Sequence, residues 1–358
     1  MSGGMVLIMA GGTGGHVFPA LAVARALRAD GIAVAWLGSR GGMEERVVQR
    51  DGITFHGIRI RGLRGKGVTA WLLAPLRLAG AVAEALAVMI RLRPRVVLGM
   101  GGFATGPGGL AAWLLRRPLV IHEQNAVAGW TNRLLTRLAR RVLGAYPNVL
   151  GSVEAVGNPV RPEIAALPAP GVRLAGREGP LRLLVLGGSQ GARALNAIVP
   201  EALAQLPAGI AVEVIHQTGV SEQAQTQQAY ARLGVQAEVL AFIEDMATAY
   251  GWADLAVCRA GALTLAEVTA AGVGTVLVPY PHAVDDHQTR NAEYLVAAGA
   301  AVLQPQDSLT VTGLAELLAP LLGNRDRLRD MALRARGLAR PDATAEVVRV
   351  LRAEGGLA

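Results

Sequence analysis

Apolar residues along this chain gather into short runs that end on glycine, and each run is followed by a stretch with helical spacing. The pattern opens with Met5-Val6-Leu7-Ile8-Met9-Ala10, leading into Gly11-Gly12-Thr13-Gly14-Gly15-His16. A continuous apolar run of this length bounded by a turn reads as a strand buried on both faces. The pattern recurs where Leu181-Arg182-Leu183-Leu184-Val185-Leu186 leads into Gly187-Gly188-Ser189-Gln190-Gly191. A strand, glycine turn and helix at the head of each half predicts an α/β protein of two Rossmann-like, doubly wound domains, with the substrate in an interdomain cleft. Further strands are predicted over 34–37, 96–98 and 119–122, and over 212–216, 239–242, 255–258 and 275–278. Helices such as 19–29 and 263–271 fall between them.

Between the halves, Val156-Gly157-Asn158-Pro159-Val160-Arg161-Pro162 and the Pro- and Gly-rich stretch to Pro180 carry turn chemistry. They predict a first domain over 1–157 and a second over 158–340. The remaining 341–358 carries a helix over 344–353 that can return to the first domain. The stretch 71–92 is strongly apolar but is interrupted by Pro75, Arg77, Glu84 and Arg91, so no membrane-spanning helix is expected there. It reads either as a core helix or as a surface whose Trp71, Leu72, Leu73 and Leu76, flanked by Arg64, Lys66 and Arg77, sit among lipid headgroups.

Composition narrows the function classes. The chain has 358 residues, a length that favours two cores over one. Apolar residues make up 52% and aromatic ones only 4%, with 45 glycines, which suits α/β architecture rather than an all-β sandwich. The single cysteine, Cys258, excludes an internal disulfide framework and points to a reducing compartment. The first ten residues lack the basic start of a signal peptide and read as a strand rather than an anchor. A formal charge of +8 favours anionic partners, whether nucleic acid, lipid or phosphorylated substrate. The basic residues are scattered and no aromatic-interleaved strand pair appears, so no nucleic-acid partner is expected.

Four glycine-rich stretches stand at predicted strand ends: 11–15, 99–109, 187–191 and 259–264. Glycine lets backbone N–H groups come close to phosphate or sugar oxygens, and the following helix adds the positive end of its dipole. None fits the dinucleotide fingerprint, since Gly12-Thr13-Gly14 is followed by Gly15, His16 and Val17. Gly62-Leu63-Arg64-Gly65-Lys66 is followed by Gly67 where a Walker sequence has Ser or Thr. Glu244-Asp245 and Asp285-Asp286 are adjacent pairs rather than an Asp-X-Asp, so neither a metal nor a cofactor is expected.

Gly11 to His16, 99–109, His122-Glu123-Gln124-Asn125, Gly157-Asn158-Pro159-Val160-Arg161, Gly187 to Ala192 and Cys258 to Glu267, taken in order, resemble the MurG family of glycosyltransferase family 28. The resemblance runs from Met5 to about Ala345. It implies a GT-B fold and an inverting transfer of N-acetylglucosamine from its UDP donor. The implied acceptor is undecaprenyl-diphosphate-linked N-acetylmuramyl pentapeptide (lipid I), giving the β-1,4-linked lipid II of peptidoglycan. It also implies a peripheral enzyme on the cytoplasmic side of the inner membrane, in contact with anionic lipids, and leaves room for other cell-wall synthesis proteins as partners.

Carried over by motif, Thr13, Gly14, Gly15, Asn125, Arg161, Ser189, Ile243, Ala262, Leu263, Thr264, Leu265, Ala266, Glu267 and Gln288 fall at donor-binding positions of that family. Glu267 would accept from both ribose hydroxyls, Ile243 would meet the base through its backbone, and Arg161 and Arg259 would add charge near the diphosphate. His16 is the first candidate for the base that deprotonates the acceptor hydroxyl, because an ordinary imidazole titrates near neutral pH. Glu123 is the second, as base or as the group orienting another. Phe103 stands where many members of the family have tyrosine, and Ala260 where some have serine. A nucleotide-sugar epimerase on the same plan and a non-catalytic nucleotide-sugar sensor are the competing readings.

Overall fold

The computed structural model describes residues 4–60, 73–147, 149–150, 153–188 and 191–357. The chain divides into two compact units, Met1–Val160 with Arg340–Ala358, and Arg161–Ala339. The first unit is built on seven strands, β1 (Met5–Met9), β2 (Ala33–Ser39), β3 (Thr54–Ile58), β4 (Val96–Gly99), β5 (Leu119–Glu123), β6 (Arg141–Gly144) and β7 (Glu154–Ala155). They lie side by side in the order β3-β2-β1-β4-β5-β6-β7, every pair parallel. The second unit has β8 (Leu181–Leu186), β9 (Val212–Gln217), β10 (Ala237–Leu240), β11 (Leu255–Cys258), β12 (Gly274–Leu277) and β13 (Ala301–Leu303), ordered β10-β9-β8-β11-β12-β13 and again all parallel.

Each sheet reverses its winding once, between β1 and β4 in the first unit and between β8 and β11 in the second. Ligands of open α/β sheets sit outside the carboxyl ends of the strands at such a reversal. The four glycine-rich stretches follow β1, β4, β8 and β11, so all four fall at these two places.

Burial explains the apolar runs. Along β1, Val6 and Ile8 pack on one face with the helices Gly14–Ala29 and Ala343–Gly355, through Val17, Leu21, Val347 and Leu351. Leu7 and Met9 turn to the other face, against Ala81, Ala85 and Met89 of the helix Ala74–Leu92. A central parallel strand is covered on both sides, which is why no polar residue alternates into it. The last helix therefore belongs to the core of the first unit.

Two expectations change in detail. The glycine stretch 99–109 is a turn only as far as Ala104, because the helix Thr105–Leu114 begins next. Gly108 and Gly109 lie inside that helix, where a Cβ would come within 2.2 Å of Met9 Sδ and 2.7 Å of Leu135 Cδ1, so they serve close helix packing. The strand predicted over 239–242 ends at Leu240, since the chain then turns to the helix Met246–Trp252, capped by Asp245 accepting from Thr248 N at 3.0 Å.

In the helix Ala74–Leu92, the buried residues are Ala81, Ala85 and Met89, a stripe at four-residue spacing. The opposite side leaves Leu76 72% and Ile90 58% exposed, so the helix is core along one edge only. Among the described residues, no helix is long and apolar enough to cross a membrane. Arg64, Lys66, Trp71 and Leu72, named above with this surface, lie outside the described residues.

Candidate active site

In the first unit the site is assembled from the turns after β1, β4 and β5. Thr13 caps the helix Gly14–Ala29 with extended backbone, and the His16 and Val17 amides donate to the Thr13 carbonyl at 3.1 and 3.2 Å. Gly14, Gly15 and His16 thus form the first turn of that helix, where backbone N–H groups point outward. The turn after β4 comes very close to it. Gly101 and Gly102 have φ of 99° and 89°. A Cβ on Gly102 would lie 2.3 Å from the Gly11 carbonyl oxygen, and one on Gly101 2.9 Å from the His16 ring. Only glycine satisfies both the left-handed backbone and that approach.

Two buried side chains hold these turns. Glu44 is fully buried and accepts from Ser39 N at 2.9 Å and Gly12 N at 3.3 Å. Thr105 donates through one hydroxyl, shared between the carbonyls of Met9 at 3.1 Å and Gly101 at 2.7 Å.

At the end of β5, Glu123 is 1% exposed. Its Oε1 accepts from Asn125 N at 3.0 Å and Asn125 Nδ2 at 3.3 Å, and its Oε2 from Gly129 N at 3.1 Å and Asn132 Nδ2 at 2.8 Å. A carboxylate has about four acceptor sites, and all are engaged. This geometry suits a group that orients Asn125 and the turn to Gly129, and it leaves no lone pair for a substrate proton. His16 is only partly buried, with its Nδ1 2.8 Å from Gln124 Oε1. His122 and Gln124, both buried, complete the cluster. Burial lowers the His122 pKa to about 4, although the Gly157 carbonyl and Glu123 pull the other way.

In the second unit the helix Ala262–Ala271 carries Ala262, Leu263, Thr264, Leu265, Ala266 and Glu267 in its first two turns. Its cap is Gly261, which has no side chain to take up the first-turn N–H groups. Glu267 is 4% exposed and paired with Arg161, whose Nε and Nη2 donate to Oε1 at 3.1 and 2.7 Å. The Tyr250 hydroxyl donates to Oε2 at 3.2 Å. Burial raises the Glu267 pKa, and Arg161 and Tyr250 oppose that rise. Three of the carboxylate's acceptor sites are used, so one remains for a ligand hydroxyl where two had been expected.

Arg161 accordingly anchors Glu267 with two of its five N–H donors. Arg259 is likewise committed, donating to the carbonyls of Val278 and Pro279 at 3.1 Å each and to Gln306 Oε1 at 2.5 Å. Its guanidinium also lies 5.6 Å from the Tyr280 ring centroid. Ile243 is 6% exposed, and Gln288 accepts from Tyr280 N at 2.9 Å. Ser189 lies outside the described residues. Gln124, His122, Glu44 and Tyr250 are the site residues that sequence reasoning missed. His122 and Gln124 stood inside the His122-Glu123-Gln124-Asn125 motif, where four polar residues in a row after an apolar strand were the available signal.

Residues 6–144 match the glycosyltransferase family 28 N-terminal domain, and residues 182–347 match the C-terminal domain of the same family. A Chromohalobacter salexigens protein is 59% identical over 346 residues, covering 96% of this chain and 95% of its own. One from Alkalilimnicola ehrlichii is 58% identical over 347 residues, covering 96% and 97%. Both are named UDP-N-acetylglucosamine–N-acetylmuramyl-(pentapeptide) pyrophosphoryl-undecaprenol N-acetylglucosamine transferase. The crystal structure of Acinetobacter baumannii MurG superposes with a TM-score of 0.86 at 44% identity, covering 98% of this chain and 99% of that one. Its GT-B architecture is the one described above, and with both halves matched in order the chain belongs to glycosyltransferase family 28.

Proposed function

We propose that this chain is the inverting transferase that moves N-acetylglucosamine from UDP-N-acetylglucosamine to lipid I, forming lipid II in peptidoglycan synthesis. The observation that carries this reading is identity of 57–59% along 96% of the chain to transferases named for that reaction. The donor belongs to the second unit, where the Glu267 carboxylate keeps one acceptor site beside the start of the helix Ala262–Ala271. The acceptor belongs to the first unit, at the paired turns around His16.

In the reaction the acceptor hydroxyl oxygen bonds to the anomeric carbon as the bond from that carbon to the UDP oxygen breaks on the opposite face. The hydroxyl proton passes to His16 Nε2, and UDP departs with the bonding electrons. A helix dipole contributes only about 0.3–2 kcal/mol to holding the departing charge. Backbone N–H groups aimed at it contribute about 3–4 kcal/mol each, so two or three of them account for most of the leaving-group stabilisation.

The test is UDP release from purified protein. Release is expected only when lipid-linked muramyl pentapeptide is supplied together with UDP-N-acetylglucosamine. Equal release without acceptor, or conversion of the donor to an epimer, contradicts the assignment, and donor binding without turnover makes the chain a sensor.

A lipid-linked acceptor also requires the enzyme to work at the membrane surface, and the cytoplasmic side of the inner membrane is the side this reading gives it. The exposed edge of the helix Ala74–Leu92, with Leu76 72% and Ile90 58% exposed opposite the buried stripe, supports peripheral binding to anionic lipid. Changing Leu76 and Ile90 to serine should reduce sedimentation with phosphatidylglycerol-containing vesicles while leaving the melting temperature unchanged. A marked fall in melting temperature would identify this edge as core.

A further inference from the structure

His122 and Gln124 are buried polar groups that the transfer chemistry leaves unused. Their hydrogen bonds have directions that can be worked out from one fixed end. The Gly157 carbonyl oxygen lies 2.8 Å from His122 Nε2. A carbonyl oxygen only accepts, so His122 carries its proton on Nε2 and presents a lone pair at Nδ1. One end of the Gln124 amide lies 3.1 Å from that Nδ1 and 3.1 Å from the His122 carbonyl oxygen. Two acceptors at one end require the NH₂ group there. The amide oxygen is thereby turned toward His16 Nδ1, 2.8 Å away. That oxygen accepts, so Nδ1 of His16 holds the ring proton.

We infer that Gln124 is a positioning residue, oriented by His122 and the Gly157 carbonyl, that selects for His16 the tautomer with its lone pair on Nε2. The first ring nitrogen is held against the protein and the second is left as the proton acceptor. The Gly157-Asn158 turn braces the arrangement twice. Gly157, with φ of 89°, supplies the carbonyl, and Asn158 Nδ2 donates to the Gln124 carbonyl oxygen at 3.0 Å. Burial of His122 keeps its imidazole neutral at physiological pH. A protonated His122 would present an N–H at Nδ1 and oppose the NH₂ of Gln124, so neutrality is part of the device. Choice of tautomer matters greatly in imidazole catalysis: in a serine-protease triad, holding the wrong one costs about 10⁴ in kcat.

The kinetic consequence rests on His16 being the base, as proposed above, whereas the tautomer itself does not. The protein has six histidines, so selective ¹⁵N-histidine labelling gives a spectrum in which His16 is identified by its loss in His16→Ala. Long-range ¹⁵N–¹H correlation on the intact protein, recorded where the His16 ring carries a single proton, is expected to show that proton on Nδ1. A proton on Nε2, or equal amounts of both tautomers, overturns the inference. Gln124→Met removes the acceptor, and should release His16 into a tautomer mixture. It should lower kcat by about 10- to 100-fold, short of the full cost of a wrong tautomer, with KM for UDP-N-acetylglucosamine unchanged.

A Gln124→Met variant with wild-type kcat, or with kcat and donor affinity falling together, also overturns the positioning role. The wild-type spectrum decides the tautomer even if that variant fails to fold. Should His16→Ala keep full kcat while the spectrum shows the Nδ1 proton, the tautomer assignment stands and the base assignment falls.

Discussion

Replacing His16 by alanine is expected to lower kcat by about 10²- to 10⁴-fold, the usual contribution of a positioned general base. KM for the UDP donor should stay within about twofold, since a group that acts only in the transition state does not contribute to ground-state binding. The geometry leads to this expectation. His16 is in the first turn of a helix whose N-terminus faces the switch point of the first sheet, and its ring sits against Gly101 with no space for a Cβ between them. Its Nδ1 is engaged with Gln124. Glu123, the other carrier considered for the proton, has both oxygens taken by four N–H donors. Steady-state kinetics with defined acceptor measures the split. Parallel losses in kcat and donor affinity, or a residual rate within threefold of wild type, would remove His16 from the role.

How much of this was readable from the chain follows from the range over which each residue acts. The repeated strand and glycine turn at Met5–Gly15 and Leu181–Gly191 are local signals, and they led directly to two parallel sheets and to both switch points. Which glycines are needed for a turn is not local. Gly101 and Gly108 look alike in sequence, yet one allows the loop to approach His16 and the other fits under Met9 inside a helix. The His16–Gln124 contact joins residues 108 apart, and Arg161–Glu267 joins residues 106 apart. Neither pairing leaves a periodicity to detect. Glu44 reads as an ordinary acid in the first turn of the helix Met43–Arg50, favourable to its dipole. Only the fold reveals that it is buried and accepts from the Gly12 amide at a distance of 32 residues. Arg161, carried over by motif, and Arg259, expected to add charge, each turn some of their five N–H donors to distant protein acceptors: Glu267 for the first, and the Val278 and Pro279 carbonyls and Gln306 for the second.

The Arg161–Glu267 pair carries the second large expectation. Arg161→Met should destabilise the second unit by about 3 kcal/mol, at the lower end of the cost of stranding one member of a buried ion pair because the arginine side chain is 31% exposed. For a unit of this size that corresponds to a fall of roughly 10 °C in melting temperature. The deficit has a definite pH dependence. Burial already raises the Glu267 pKa above 4.5, and Arg161 is the main opposing influence. Without it the folded-state pKa rises further above the unfolded value. The folded variant then holds a proton that the unfolded chain releases, so stability is lost as pH rises through the unfolded pKa toward the folded one. The deficit should therefore shrink as pH falls toward 4.5 and grow as pH rises above it. The triple variant Arg161→Met, Glu267→Leu and Tyr250→Phe removes both charges and the hydroxyl that donates to Glu267, and should recover most of the melting temperature, since apolar groups of similar volume replace a buried ion pair at little cost. Donor binding should not recover with it. Loss of the acceptor site on Glu267 is expected to weaken UDP by about 10- to 100-fold, the range for a hydrogen bond to a charged group. Calorimetry with UDP on the triple variant separates the two roles. If stability and affinity both returned, Glu267 would be a structural partner of Arg161 with no contact to the donor.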